Sequence, residues 1–185
     1  MNRMTLMKVH VLLAAFIFPV AIMFMVTGAL YTWGIKGNYT NDVHDISLSM
    51  PIQSDVSELT NLAQLELDKL ATSHPEGQPS LKAYGSHFLL EWTGSSKDII
   101  LEPTDNELIA RLTIKHTTWY RNLVQLHKAK GGMAFKVYAV VFALSITALL
   151  ISGFIMAWQI PKLKRVTLIT SLAGLCSFII FVYLS

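Results

Sequence analysis

The sequence predicts an α-helical membrane protein with three spans and a small α+β domain between the first span and the second. Three observations lead there. Of 185 residues, 52% are hydrophobic and 15% charged, where a soluble domain carries about 25% charged residues. The apolar residues concentrate in three runs without a charged side chain, at 9–33, 137–160 and 166–184. At 1.5 Å per residue, runs of this length match a hydrocarbon core of about 30 Å. All twelve acidic residues fall between the first run and the second, in 35–131, so that segment needs water.

The formal charge of +3 does not point to nucleic acid. The 35–131 segment holds nine basic residues against twelve acidic, a net of −3. The positive excess flanks the apolar runs, where membrane proteins place it. The lipid bilayer is therefore the expected partner, and no nucleic acid is. The single cysteine, Cys176, excludes an internal disulfide, a cysteine-based metal cluster and CxxCH haem attachment. It reads as a small buried apolar residue.

The first span, 9–34, ends in Gly28, Ala29, Leu30, Tyr31, Thr32 and Trp33, an aromatic interface ending rather than a small-residue cleavage site, so it reads as a retained anchor. Pro19 should kink it. The second span, 132–160, carries Ser145, Thr147 and Ser152, which can bond back to helix carbonyls or across to a neighbour. The third, 166–185, follows a five-residue basic loop, 161–165, which forces a tight hairpin. Arg3, Lys8, Lys162, Lys164 and Arg165 share one side of the membrane with no acidic residue. Short basic loops stay cytoplasmic and long ones translocate largely regardless of charge. The expected topology is a cytoplasmic N-terminus (1–8), 35–131 outside, and 161–165 inside; in a bacterium the outer compartment is the periplasm. Lys36, Lys128, Lys130 and Lys136 flank the spans on the side this rule disfavours.

Between the spans, 35–53 reads as irregular. Asp55 opens a helix with Glu58 as capping-box partner. Val56, Leu59, Ala63, Leu67 and Leu70 give it one apolar face, and His74, Pro75, Glu76 and Gly77 end it. Strands are expected at 81–92, 97–102 and 108–114, with turns at 94–96 and 103–106. One helix and an antiparallel three-stranded meander make a small α+β unit. Such a unit buries little core alone, so it should lean on the membrane surface, on its flanking segments or on a second copy. Residues 117–130 read as an interfacial amphipathic helix presenting Trp119, Tyr120, Leu123 and Leu126, broken by Gly131 and Gly132.

Two spans share a local pattern. Thr27-Gly28 precedes Trp33, and Ser152-Gly153 precedes Trp158, both as [Ser/Thr]-Gly-x4-Trp. Each span also follows a hydrophobic-His pair, Val9-His10 and Leu126-His127. With the helix-plus-meander domain between them, these motifs resemble the PepSY-associated transmembrane family. Lys8-Val9-His10 and Thr27-Gly28 resemble its first span, and Leu126-His127-Lys128-Ala129-Lys130-Gly131 with Ser152-Gly153 its second. Segment 54–115 is similar to a PepSY module, with 102–107 at its usual strand turn.

The resemblance implies a bacterial inner-membrane protein with a periplasmic PepSY-like domain. Some larger members are similar to ferric-siderophore reductases that hold haem b in the membrane; PepSY modules elsewhere resemble inhibitory or regulatory binding units. This chain departs from the reductases in its length, its three spans and its few histidines. The expected functions are therefore a component of a redox or iron-linked membrane system, with haem b electron transfer, or a non-catalytic accessory subunit whose PepSY-like module binds a partner protein. A small transport or assembly component is disfavoured by the uncharged spans.

His10 and His127 are the candidate axial ligands, with His116 a weaker one. Bis-histidine haem needs two imidazoles at one membrane depth. His10 opens the first span and His127 precedes the second, so the two lie on the order of 30 Å apart. A homo-oligomer, pairing His10 with His10, or another membrane subunit would have to complete the coordination. Met23, Met25, Met133 and Met156 are alternative ligands that read better as packing residues. No phosphate loop, HExxH or nucleophile elbow is present, and the sequence leaves open whether the chain is an enzyme.

Overall fold

The computed structural model describes residues 3–85 and 87–185. Met1 and Asn2, at the start of the expected 1–8 segment, and Ser86, inside the expected 81–92 strand, lie outside the described residues. Three helices are long and apolar enough to cross a membrane: α1 (Arg3–Thr32), α4 (Met133–Trp158) and α5 (Pro161–Leu184). The first of these continues through Pro19. The chain divides into two compact units, one made of the residues up to Ala21 with Ala139–Ser185, the other of Ile22–Tyr138.

In the first unit, α1 buries Leu6, Ile17 and Val20, and α4 buries Phe142 and Ser145. The expected loop at 161–165 is instead the first turn of α5, with Pro161 at a position where its missing N–H costs nothing. Lys162, Lys164 and Arg165 thus ride on the helix. None of the residues of α5 is buried, and Cys176, expected to be buried, is exposed with them.

The second unit holds the α+β domain. Its helix α2 (Val56–Lys69) is capped by Asp55, whose carboxylate accepts the Glu58 N–H at 2.9 Å. Leu59, Ala63 and Leu67 are fully buried, while Val56 and Leu70 at the ends of the expected face are exposed. The sheet has five antiparallel strands, not three: β1 (Tyr39–Ser47), β2 (Pro79–Tyr84), β3 (His87–Thr93), β4 (Lys97–Pro103) and β5 (Ile109–Thr117), in the order β1-β5-β4-β3-β2.

Both extra strands have a physical reason. The expected 81–92 strand is a hairpin: Gly85 takes φ +63°, and Tyr84 pairs directly with His87. A tight two-residue connection favours glycine at a positive φ. The expected irregular stretch 35–53 contains β1, which pairs with β5 over nine residues. As an edge strand it buries only Ile46, so its apolar alternation is too weak to read.

Across the central strands, Leu90 faces Leu101 and Leu101 faces Leu112, while Ile99 faces Ile114. With Trp92, Ala110 and the buried face of α2 they form the core. The flanking segments complete the domain, β1 by pairing and α3 (Trp119–His127) by packing on the sheet. The residues that α3 buries against the protein are Val124 and Gln125, while Trp119, expected at the lipid interface, is exposed.

Candidate functional site

Thr118 caps α3, its hydroxyl accepting the Arg121 N–H, and the helix runs down to His127. That histidine meets α1 inside the second unit. Its Nδ1 lies 2.8 Å from the Thr27 hydroxyl oxygen, and its ring sits 4.9 Å from that of Phe24, centroid to centroid. Thr27 is buried and donates its single hydroxyl proton back to the Met23 carbonyl, at 2.6 Å. It therefore accepts from His127, so Nδ1 of the imidazole carries a proton. Nε2 has no protein partner among the described residues. Gly28 makes room: a Cβ there would stand 3.1 Å from His127 Cε1.

The first unit repeats the construction. His10 Nδ1 lies 2.8 Å from the Ser152 hydroxyl, which donates to the Leu149 carbonyl at 3.0 Å. The same reasoning makes Nδ1 of His10 the donor and leaves Nε2 without a protein partner among the described residues. A Cβ on Gly153 would lie 3.6 Å from His10 Cε1, an ordinary contact, whereas at Gly28 the His127 ring would have to give by a few tenths of an ångström. Each [Ser/Thr]-Gly pair thus receives the histidine that precedes the other span.

His116 lies elsewhere, on β5, with Nε2 3.1 Å from Asp42 on β1. Met25 and Met133 are exposed, and Met23 Sδ is in long contact with the Thr27 hydroxyl, at 3.9 Å. Among the described residues no group of three or more His, Cys, Asp and Glu side chains is arranged to hold a metal ion.

A cavity of about 400 Å³ opens beside His127, lined by Thr27, Gly28, Tyr31, Thr32, Val124 and Lys128. Lys36 and Lys128 both lean on the Tyr31 ring, at 5.4 and 5.6 Å from its centroid.

Behind His127 a buried polar cluster ties α3 to the sheet, which sequence reasoning missed. Asp98 on β4 is 6% exposed. It accepts hydrogen bonds from the Tyr39 hydroxyl at 2.7 Å, from Gln125 Nε2 at 3.0 Å and from the Gly94 N–H at 3.2 Å. Lys130 stands 3.8 Å away. Arg121 donates to the Tyr39 hydroxyl at 2.7 Å and to the Lys36 carbonyl at 3.0 Å. Burial, reinforced by the Asp98 hydrogen bond and opposed by Arg121, pushes the Tyr39 phenol up to about 12. Burial also holds the Lys130 ammonium below its ordinary value, against the pull of Asp98. A polar residue amid the amphipathic 117–130 segment was the available signal: Gln125 sits one position from Val124 on the face turned inward.

No curated protein and no solved structure matches this chain significantly. The sequence matches the family described as the PepSY-associated TM region over residues 1–159, a stretch containing both histidine–hydroxyl pairs and the whole α+β domain and ending before α5. A match of that extent shows that the chain belongs to the PepSY-associated transmembrane family.

Proposed function

We propose that this membrane protein is a haem b-binding component of a redox or iron-linked system in the bacterial inner membrane, with residues 35–131 in the periplasm. The observation that carries the reading is the hydrogen bonding at both histidines. Each Nδ1–H is spent on a hydroxyl whose own proton is spent on a helix carbonyl, and each Nε2 is left without a protein partner among the described residues. A histidine that ligates a metal almost always donates its other N–H in this way. Polar groups at membrane depth are costly and cluster at functional sites. The topology rests on the five basic residues at 3, 8, 162, 164 and 165, unaccompanied by any acidic one.

The donor set fits one axial ligand at each histidine. It does not fit a bis-histidine cage within one chain, because His10 opens the first span and His127 precedes the second, so about 30 Å of hydrocarbon separates them. The second ligand comes from another copy or another membrane subunit. Haem b so held would supply reversible one-electron transfer. The residues of this chain orient the imidazoles through their Nδ1 hydrogen bonds, with the Phe24 ring packed against His127.

A non-catalytic accessory role is the second reading, and α5 favours it: a whole apolar helix that buries nothing is available to a membrane partner as well as to lipid. The deciding measurement is the absorbance spectrum of the full chain purified in detergent and titrated with hemin. A Soret shift lost in both His10→Ala and His127→Ala supports the haem reading. Protein that stays colourless with hemin and co-purifies with a membrane partner overturns it in favour of the accessory role.

A further inference from the structure

We propose that Lys128, which lines the cavity beside His127, and Lys36, which shares the Tyr31 ring with it, form an acid-recognition site that receives the two carboxylates of an apolar dicarboxylic ligand. The inference rests on the haem reading for the ligand's identity, since a porphyrin with two propionates is such a molecule. Three observations carry it. First, the cavity is lined mainly by apolar surface, the Thr27 and Thr32 hydroxyls, the Tyr31 ring and His127. That lining suits an apolar body with one polar edge. Second, the two ammonium groups converge on one aromatic ring, at 5.4 and 5.6 Å. A cation over a tyrosine gains only about 0.5–1 kcal/mol at an exposed site, so the ring gathers both charges without neutralising either.

Third, neither lysine has a carboxylate partner among the described residues. Lys69, Lys82, Lys130 and Arg111 are the lysine and arginine side chains in ion pairs there. Asp98, the buried acid of the α3–sheet cluster, is taken by Tyr39, Gln125 and Lys130. On the proposed topology both lysines lie on the membrane face from which Lys and Arg are ordinarily depleted. A recognition role gives these two charges a reason to be there. They sit just beyond the ends of α1 and α3, at the level where a ligand's acidic edge would leave the hydrocarbon.

The test compares full-length wild type with Lys36→Gln/Lys128→Gln, both in neutral detergent at low ionic strength. Both positions are exposed, so the fold survives the change. Three probes are titrated: hemin, hemin dimethyl ester and metal-free protoporphyrin IX, the last followed by its fluorescence. Two exposed ion pairs are worth about tenfold in affinity together. The expected result is hemin binding about tenfold weaker in the double variant, with the gap closing as salt is added, and ester binding that ignores the lysines. Equal hemin affinity in the two proteins, or an ester that binds wild type as tightly as the free acid, overturns the proposal. The haem reading fails separately: protoporphyrin IX binding that depends on the lysines, with no Soret change from hemin, removes iron ligation and keeps the acid site. Failure of both porphyrins to bind wild type overturns the acid site too.

Discussion

Replacing Asp98 with alanine should free α3 from the sheet while leaving the core packed. The carboxylate is 6% exposed and serves Tyr39, Gln125, the Gly94 N–H and Lys130. A hydrogen bond to a charged group contributes about 1.5–3 kcal/mol, and a buried donor left unpaired costs about 1–3 kcal/mol. Removing one member of a buried charged cluster costs about 3–5 kcal/mol. Because Lys130 keeps 24% of its side chain in water, the lower end applies, about 3 kcal/mol. At about 1.4 kcal/mol per tenfold, that is a hundredfold rise in the population of the opened state. Hydrogen exchange on the full chain in detergent reads it directly, since local opening governs the exchange of amides it exposes. Amides of 121–128 should lose about a hundredfold of protection, and those of α2, on the opposite face of the sheet, much less. A change below about fivefold at 121–128 would show that Asp98 does not hold the helix. Equal losses in α2 would show that the cluster supports the whole domain instead.

Tyr39 gives a pH signature of the same cluster. Its folded phenol is raised to about 12 from an ordinary value of about 10, so its contribution to stability is complete below pH 10 and is lost as pH climbs through 12. Absorbance at 295 nm should show one late-ionising tyrosine, and Asp98→Asn should bring it earlier; a tyrosine titration unchanged by Asp98→Asn would refute the coupling. Gly28→Ala should push the His127 ring aside, because a Cβ would lie 3.1 Å from Cε1, whereas Gly153→Ala at 3.6 Å from His10 should be tolerated. Imidazole 15N shifts check this: loss of the Nδ1–H signature in Gly28→Ala but not in Gly153→Ala is expected, and equal effects would contradict the geometry.

Much of this architecture is readable along the chain because lipid and water sort residues by simple rules. Three uncharged runs became the three long helices, and Asp55 capped α2 as its spacing with Glu58 implied. The missing strands show where such rules stop. A hydrophobic pattern reports burial, and β1 buries only Ile46; what makes it a strand is backbone pairing with β5, which leaves no mark on side-chain polarity. The β2–β3 hairpin did leave one, since Gly85 interrupts the stretch just after Tyr84, but the strand-forming residues on both sides read as one run.

The candidate site divides in the same way. His10, His127, Thr27-Gly28 and Ser152-Gly153 were all visible as local motifs, because each is a short pattern on one helix. That His10 meets Ser152 and His127 meets Thr27, across 142 and 100 residues, was decided by tertiary structure alone. So was the choice of ring nitrogen that donates to the hydroxyl, which depends on where the hydroxyl protons go. The Asp98 cluster is likewise a product of folding: its members come from β1, β4, α3 and the turn after α3, and only packing α3 on the sheet brings them out of water together. Local periodicity specifies what each segment prefers as solvent, while contacts between distant segments depend on the geometry of the assembled helices and sheet.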